Sequence, residues 1–275
     1  MPELPEVETI VRRIGPAVTG CTVTGVWNDW PRHVAPLTVA AFTEQIVGQQ
    51  VVHVGRRGKF IHIRLSADHL LIHLRMSGDL EVLPQSAPPT RFAHTVLQFD
   101  DATELRFSDA RKFGQVRLVA DPQTVTGKLG PEPLDANFSA AEFHQRLQQT
   151  KRQIKPLLLD QRFLAGVGNI YANDGLYLAQ IHPLRRSDSL TADESARLLD
   201  NLRLVLQEGI DNHGASIDWV YRGGNQQHNF KVHERKGEPC LRCGTPIEKI
   251  VVGQRGTYLC PVCQPAPNGA RGAEN

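Results

Sequence analysis

The sequence predicts an α+β protein in which an opening helix, an antiparallel β domain, a helical domain and a cysteine-rich hairpin follow one another. Three observations predict this order. Apolar residues recur with helical spacing at the start of the chain, with a period of two from about residue 21 to 120, and with helical spacing again after Gly130-Pro131-Glu132-Pro133. At 275 residues, the chain is long enough for two domains.

The opening helix is predicted from four apolar residues that follow one another at i, i+3, i+4 and i+7. These are Val7, Ile10, Val11 and Ile14. Glycine and proline follow directly, so the pattern predicts a helix over 2–14 that ends at Gly15-Pro16.

The β domain is predicted from short alternating runs separated by turn residues. The clearest run is 60–65, and the others lie at 70–74, 96–99, 105–107 and 116–119. Glycine, serine and aspartate stand between the runs, which favours hairpins and a mostly antiparallel arrangement.

The helical domain is predicted from apolar stripes over 139–149, 154–164, 170–180 and 191–212. The chain becomes polar from Gly223 and ends in a tail rich in proline, glycine and alanine. We therefore expect domains at 1–130, 131–222 and 223–264, followed by a disordered tail at 265–275.

Composition excludes several classes of protein. With 40% hydrophobic and 22% charged residues, wholesale disorder is excluded. No apolar run approaches the ~18 residues of a membrane span. The first eight residues carry three glutamates and no cationic stretch, so we expect a cytoplasmic protein without a membrane partner. A net charge of +2 does not by itself indicate a polyanionic partner, so a nucleic-acid function must depend on local clusters.

Four cysteines near the C-terminus predict a metal site. Their spacing is Cys240-x2-Cys243-x16-Cys260-x2-Cys263, which allows two thiolate pairs to close a tetrahedral shell around Zn²⁺. A four-cysteine shell has no open coordination position. We therefore expect one structural zinc ion per chain, held by a basic hairpin that contains Arg255.

The start of the chain can be interpreted in two ways. Proline after the initiator methionine is small enough for that methionine to be removed, which leaves Pro2 with a free secondary amine. An α-amino group titrates near ~8, so part of it is a neutral nucleophile at physiological pH, with Glu3 beside it for proton transfer. Alternatively, the segment merely begins a helix, since proline and acidic residues are favoured in a first turn.

Seven motifs, in order, resemble those of bacterial formamidopyrimidine-DNA glycosylases. The resemblance covers residues 2–264, and the motifs are MPELPEVET, GRRGKF, HLRMSG, DARKFG, LGPEPL, GVGNIYANDGLYLAQIHP and the four cysteines. It implies an N-terminal antiparallel β-sandwich domain, a helix-two-turns-helix domain and a zinc finger. It also implies base-excision repair of oxidised purines, namely formamidopyrimidines and 8-oxoguanine, by a combined DNA glycosylase and AP lyase.

The resemblance assigns catalytic roles to five residues. Pro2 corresponds to the Schiff-base nucleophile, Glu3 to the proton donor and Glu6 to a second, supporting acid. Lys59 corresponds to the lysine that assists β-elimination, and Arg255 to the arginine that serves δ-elimination.

The resemblance also assigns DNA contacts. Met76, Arg111 and Phe113 correspond to the side chains that fill the gap left by an everted base. Phosphate contacts are expected of Lys151, Lys155, Asn169 and His94, although phenylalanine replaces a histidine that many relatives have at position 92. The expected partner is damaged double-stranded DNA, bound by a monomer without a small-molecule cofactor.

Two alternatives remain open at this point. An endonuclease VIII-like enzyme would prefer oxidised pyrimidines, but Leu4 and the DARKFG motif argue against it. A catalytically silent DNA-binding protein would be expected to lack Pro2, Glu3 or Lys59, and all three are present. The segment 221–230 is shorter than the loop with which the family covers 8-oxoguanine.

Overall fold

The computed structural model describes residues 1–216 and 223–267. The chain forms two compact units, Met1–Lys128 with His213–Gly224, and Leu129–Asn212 with Asn225–Asn275. The sequence pattern grouped 213–222 with the preceding helices, whereas the structure groups His213–Gly224 with the first unit. Most of the predicted disordered tail, from residue 268 onward, lies outside the described residues.

The first unit begins with helix α1 (Leu4–Val18), whose apolar face is buried as the spacing predicted. The predicted end at Gly15-Pro16 is wrong, because the helix continues through both residues. Pro16 lies in the last turn, where its fixed φ suits a helix and it sacrifices one hydrogen bond. Burial of Val18 in the core and a hydrogen bond from Thr19 N–H to Gly15 O (3.1 Å) complete that turn.

Two antiparallel four-stranded sheets make up most of this unit. Their orders are β1-β6-β7-β5 and β2-β3-β4-β8. The strands are β1 (Val23–Asn28), β2 (Val51–Arg57), β3 (Phe60–Leu65), β4 (His69–His73), β5 (Gly78–Pro84), β6 (Ala93–Phe99), β7 (Thr103–Asp109) and β8 (Gln115–Val119). One apolar core contains residues from both sheets and from α1, which confirms the predicted α+β fold class.

Helix α2 (Val39–Ile46) was not predicted, because it interrupts the β domain between β1 and β2. The Thr38 hydroxyl accepts a hydrogen bond from Ala41 N–H at 3.2 Å and caps the helix. Phe42 and Ile46, one turn apart, are both fully buried. A 3-10 helix (Pro31–His33) and the short helix α3 (Gln123–Thr126) complete the helical elements of this unit.

The second unit is helical and carries a terminal hairpin. Its helices are α4 (Ala140–Gln148), α5 (Ile154–Leu158), α6 (Asn169–Leu178) and α7 (Ala192–Asp211), with 3-10 helices at Ser187–Ser189 and Gln226–Asn229. Strands β9 (Glu248–Val252) and β10 (Arg255–Leu259) form the hairpin. Helix α6 packs against α7 and against β10. In the described residues no helix combines the length and hydropathy that crossing a membrane requires.

Helix α5 is shorter than predicted, because it ends at Leu158 and not near residue 164. The Gln161 side chain stabilises the turn that follows. Its amide donates to Val167 O at 2.8 Å and its carbonyl accepts from Gly166 N–H at 2.9 Å. The apolar residues 163–167 are buried in this non-helical turn, which gives the same burial that a helix would give.

Replacing Ile61 by alanine should lower the free energy of unfolding by about 2–5 kcal/mol, because this fully buried side chain fills the core below β3. Urea denaturation of the purified protein measures this loss. Arg64→Ala, on the exposed face of the same strand, should change stability by at most about 0.5 kcal/mol. Equal losses from the two substitutions would contradict the assigned strand register.

Candidate functional site

The start of the chain is fixed by a carboxylate at the N-terminus of α1. Glu3 is the residue that precedes the helix, and its backbone N–H donates to Glu6 Oε2 at 2.8 Å. Both glutamates are buried, whereas Pro2 is half-buried. This hydrogen bond fixes the backbone immediately after Pro2.

The same carboxylate holds a second segment of the first unit. Glu6 Oε1 accepts a hydrogen bond from Ala215 N–H at 2.8 Å. Gly214 lies against Glu6 with φ +77°, and a Cβ there would come within 2.8 Å of Glu6 Cγ. Glycine is therefore required at 214 for this close approach. The chain then enters 217–222, outside the described residues, which includes the first part of the segment 221–230.

Lys59 lies in the tight turn between β2 and β3, directly after Gly58, whose φ is +57°. Its side chain is buried. The neighbouring His73 is kept neutral, because burial and the positive charges of Arg75 and Lys59 lower its pKa to about 3. His73 Nδ1 accepts from Arg75 N–H at 3.0 Å, so the ring proton resides on Nε2.

The three side chains expected to enter DNA stand on two turns of the first unit. Met76 is 39% exposed and Phe113 is 54% exposed, which is unusual for large apolar side chains. The Arg111 guanidinium lies 5.0 Å from the centre of the Phe113 ring. Arg75 and Lys112, with φ of 55° and 59°, give the two turns their left-handed residues.

One carboxylate joins these two turns, and its role was not predicted from the sequence. Asp109, fully buried at the end of β7, accepts from the Ser77 hydroxyl at 2.5 Å. It also accepts from the backbone N–H groups of Arg111 (3.2 Å) and Gly114 (2.6 Å). The signal that could have revealed it is its position in DARKFG, because aspartate two residues before a turn residue commonly accepts that residue's N–H.

The pKa of Asp109 reflects this environment. Burial alone would raise the pKa, but the nearby His33 imidazole and the hydrogen bonds from Ser77, Gly114 and Arg111 outweigh burial and hold the pKa well below its ordinary value. The carboxylate is therefore ionised throughout the physiological range.

His94 is buried, and its Nδ1 lies 2.7 Å from Asp29 Oδ1. Its Nε2 has no hydrogen-bond partner within residues 1–216 and 223–267. Phe92, at the position where a second histidine is usual, is 42% exposed and lies under the Arg91 guanidinium, 4.5 Å from ring centre to Cζ.

In the second unit, two side chains meet the backbone of the hairpin beside Arg255. Lys155 is fully buried, and its Nζ donates to Gly256 O (3.1 Å) and to Thr257 Oγ1 (2.6 Å). Asn169, the first residue of α6, donates through Nδ2 to the same Gly256 carbonyl at 3.0 Å. Arg255 itself is exposed. Lys155 thus lies beneath the hairpin, whereas Lys151 is exposed at the surface.

The four cysteines converge at the base of this hairpin. The Sγ atoms of Cys240 and Cys263 are 3.9 Å apart and those of Cys243 and Cys260 are 3.5 Å apart, and all four lie within 4.8 Å of one another. Tetrahedral zinc with Zn–S bonds of ~2.3 Å requires sulfur separations of about 3.8 Å. The donor set and its spacing therefore fit Zn²⁺.

Polar groups around the sulfur atoms support the same interpretation. Backbone N–H groups of Arg242 and Cys263 point at Cys240 Sγ and Cys260 Sγ, each at 3.4 Å. The Tyr177 hydroxyl lies 3.2 Å from Cys240 Sγ. Donors of this kind stabilise thiolates that ligate a metal.

Comparison with known proteins gives the same order of domains. The model of the formamidopyrimidine-DNA glycosylase N-terminal domain matches residues 1–116, that of the glycosylase H2TH domain 129–220, and that of the zinc finger found in FPG and IleRS 237–266. The formamidopyrimidine-DNA glycosylase of Herpetosiphon aurantiacus is 43% identical over 96% of this chain and 100% of its own length. The chain belongs to the formamidopyrimidine-DNA glycosylase family.

Further members of the family are similar over the same extent. The formamidopyrimidine-DNA glycosylase of Chloroflexus aurantiacus is 45% identical, over 96% of this chain and 98% of its own. Among solved structures, Lactococcus lactis Fpg in complex with abasic-site DNA superposes with a TM-score of 0.89 at 34% identity. That match covers 96% of this chain and all of the Fpg chain. The same protein in complex with Fapy-dG DNA also gives 0.89.

In this glycosylase, Asp109→Asn should lower the free energy of unfolding by about 1–3 kcal/mol, because an amide cannot accept all three hydrogen bonds. It should also weaken duplex binding, since both turns with exposed apolar side chains lose their common acceptor. Unfolding and DNA-binding titrations measure the two effects. Asp121→Asn, at an exposed aspartate of the same unit, is the matched control and should alter neither by a comparable amount.

The stability difference between wild type and Asp109→Asn should also depend on pH. The pKa of Asp109 is depressed in the folded protein, so its contribution is complete above the unfolded value of ~3.9 and is lost as pH falls toward the folded value. The difference should be constant from about pH 5 to 8 and should shrink below about pH 4. A difference that grows on acidification would contradict an ionised Asp109.

Cys243→Ser, or removal of zinc by a chelator, should abolish DNA binding while the first unit remains folded, because the hairpin loses a ligand of its four-cysteine shell. Metal content by mass spectrometry and duplex binding by fluorescence anisotropy measure this. Cys21→Ser, at the cysteine outside the cluster, is the control and should keep both metal and binding. A metal-free protein that binds DNA normally would contradict a structural zinc.

Proposed function

We propose that this chain is a DNA glycosylase with AP lyase activity that removes oxidised purines from double-stranded DNA. One observation carries the proposal: the second residue of the chain is a half-buried proline, and the Glu6 carboxylate fixes the backbone next to it. A nucleophile at a chain terminus needs such a restraint, because termini are otherwise poorly ordered. Support comes from relatives named formamidopyrimidine-DNA glycosylase and from Lactococcus lactis Fpg, solved with Fapy-dG DNA.

In the first step, removal of Met1 leaves Pro2 with a secondary amine that attacks C1′ of the damaged nucleoside. The C1′–N bond breaks, and its electron pair leaves with the base, which takes up a proton. The attached nitrogen gives up its proton, which balances the proton that the base takes up. Its lone pair then forms an iminium as the sugar C1′–O4′ bond opens, and Glu3 supplies the proton that O4′ requires.

The iminium makes strand cleavage possible, because it accepts the electrons released at C2′. Loss of a C2′ proton expels the 3′-phosphate by β-elimination, and a further proton loss at C4′ expels the 5′-phosphate by δ-elimination. Lys59 assists the first elimination and Arg255 the second, each as a cation beside a departing phosphate. Water then hydrolyses the iminium and restores the amine.

Eversion of the base leaves a gap that the exposed side chains of the first unit can fill. Met76 and Phe113 supply apolar wedges, and Arg111 supplies a cation with hydrogen-bond donors for the orphaned base. Their exposure supports this role, since neither apolar side chain packs into the core.

Phosphate contacts come from the second unit in this proposal. The N-terminus of α6 presents backbone N–H groups, and Asn169 is its first residue. Lys151 contributes an exposed cation, whereas the fully buried Lys155 serves binding indirectly by fixing the hairpin next to Arg255. A phosphate contact from His94 would require its ring to move, because Nε2 is buried and Nδ1 lies 2.7 Å from Asp29 Oδ1.

We further propose that the protein acts as a monomer with one zinc ion per chain, on DNA in the bacterial cytoplasm. The exposed cations of the second unit, Lys151 and Arg255, make the affinity for DNA fall as the salt concentration rises, whether or not the DNA carries a lesion.

Borohydride trapping tests the proposal on duplexes that carry 8-oxoguanine opposite cytosine, an abasic site, or an oxidised pyrimidine. We expect a covalent adduct, located at Pro2 by mass spectrometry, with the oxidised-purine and abasic duplexes. Pro2→Gly should slow base release and strand cleavage while DNA binding is retained. Pro16→Ala, an exposed proline of α1, is the matched control and should trap like the wild type.

The remaining outcomes distinguish the alternatives. Preferential trapping on the oxidised-pyrimidine duplex would indicate an endonuclease VIII-like enzyme. Binding without any adduct, by protein shown to lack Met1, would indicate a catalytically silent DNA-binding protein and would overturn the proposal.

A further inference from the structure

A cavity lies on the outward face of the sheet β1-β6-β7-β5. Leu97 on β6 and Leu105 on β7 belong to the core, so the residues on either side of each of them face outward. The segment 85–90, between β5 and β6, lies over this outward face. A cavity of about 340 Å³ is lined by both, and none of its lining residues has a part in the proposed DNA chemistry.

A buried arginine fixes the segment 85–90 over the sheet. The Arg106 side chain is 5% exposed and donates three hydrogen bonds to this segment, at Pro88 O (2.6 Å), Thr90 Oγ1 (2.7 Å) and Ala87 O (2.9 Å). Its Nε donates to Glu104 Oε1, on the same strand. The wall of the cavity is therefore fixed before any ligand enters, which lowers the entropic cost of binding.

One oxygen atom of this ion pair lacks a hydrogen-bond partner. The Glu104 side chain is 9% exposed, and its Oε2 accepts no hydrogen bond from any group in residues 1–216 and 223–267. A carboxylate that is nine-tenths buried is normally hydrogen-bonded, because a buried acceptor without a donor raises the free energy. Glu104 lines the cavity, so a ligand there can supply the missing donor.

An exposed indole forms another wall of the cavity. Trp27 on β1 is 48% exposed, and its register partner on β6 is Val96, which is paired in turn with Arg106 on β7. Strands β1 and β7 are two strand spacings apart, or about 10 Å, and the short valine side chain lies between them. A flat ring therefore has room beside the indole and can stack on it.

A second polar side chain lies in the neighbouring row of the sheet. Gln98 is the register partner of Glu104 on β7 and of Gly25 on β1. Its Oε1 lies over Gly25, where a Cβ would come within 2.5 Å of it, so only glycine leaves this place for the amide. Within the described part of the chain the Gln98 amide forms no hydrogen bond, which leaves it available to a ligand.

We propose that this cavity binds an uncharged purine, as a base or a nucleoside, which stacks on Trp27 and donates an N–H group to Glu104 Oε2. The volume is near the lower end of the ~300–1,000 Å³ typical of small-ligand sites, which favours a single ring system. A purine has two fused rings, as the indole has, so the two faces match in area.

The charges of the cavity favour an uncharged ligand. Glu104 and Arg106 are the ionisable residues among the described residues that line it, and they neutralise each other. A cationic ligand would leave an excess positive charge beside Arg106. A phosphate group would be repelled by the carboxylate, so nucleotides and nucleic-acid strands should bind more weakly than a base or nucleoside.

Titrations followed by ¹H–¹⁵N correlation NMR, through the backbone amides of β1, β6 and β7, test the site. Theophylline and caffeine are matched probes, because both are uncharged purines and differ only at N7, which carries hydrogen in theophylline and a methyl group in caffeine. We expect saturable shifts with theophylline and about tenfold weaker binding of caffeine, which lacks any N–H donor. Guanosine should likewise bind more tightly than guanosine 5′-monophosphate.

Two variants locate the ligand. In Glu104→Gln, the amide oxygen stays on Arg106 and the NH₂ group faces the cavity, so the affinity for theophylline should fall about tenfold. Trp27→Leu, at an exposed position that should not disturb folding, removes the stacking surface and should cost about tenfold as well. Glu44→Gln, at an exposed glutamate of α2, is the matched control and should bind theophylline like the wild type.

Three results would overturn the proposal. The absence of saturable shifts with theophylline and guanosine would mean that the cavity is only a hydrated cleft. Equal affinities for theophylline and caffeine would show that Glu104 accepts no hydrogen bond from the ligand. Theophylline binding that Trp27→Leu leaves unchanged would place the ligand elsewhere, and this variant decides the matter even if Glu104→Gln fails to fold.

Discussion

The Glu6 carboxylate provides the interaction on which the rest of the proposed site depends. A catalyst that uses its own N-terminal amine has to fix the part of a chain that is usually least ordered. Glu6 does so from inside the first turn of α1, where it accepts the Glu3 N–H at 2.8 Å and also the Ala215 N–H at 2.8 Å. A single buried side chain therefore fixes the start of the chain and a segment more than 200 residues away in sequence.

The same arrangement recurs at the other functional turns. Asp109 accepts hydrogen bonds from both turns that carry Met76 and Phe113, and Lys155 donates to the hairpin next to Arg255. Asp109 and Lys155 are fully buried, whereas the side chains that they position are exposed. Buried residues thus fix the backbone, and exposed residues are left to contact DNA. The exposed side chains are held in place because the backbone that carries them is rigid.

The sequence was most informative where a pattern is local. Four apolar residues predicted the buried face of α1, and the cysteine spacing alone predicted the metal shell that the sulfur separations of 3.5 and 3.9 Å fit. Alternation predicted the strands, because period two directly reports which side chains enter the core. These features need no knowledge of what lies across the sheet.

The features that sequence reasoning missed depend on contacts between distant segments. Nothing local distinguishes the end of α1 at Val18 from an end at Gly15, because burial of Val18 in the core decides it. Helix α2 has a capping threonine and buried residues one turn apart, but eight residues within a β domain give a weak signal. The role of Asp109 follows from the geometry of two turns that are distant in sequence, which only the folded chain reveals.

A buried, ionised Asp109 holds the two turns that expose Met76 and Phe113 to solvent. The free energy of the protein would fall if Met76 and Phe113 folded back onto its surface, because each Å² of apolar area removed from water stabilises by roughly 25 cal/mol. Turns held only by their own backbone could rearrange to allow this. The hydrogen bonds from Ser77, Arg111 and Gly114 oppose the rearrangement, because breaking them would leave a buried carboxylate without compensation. A rigid, charged acceptor inside the unit is therefore what keeps an apolar probe directed outward before DNA is bound.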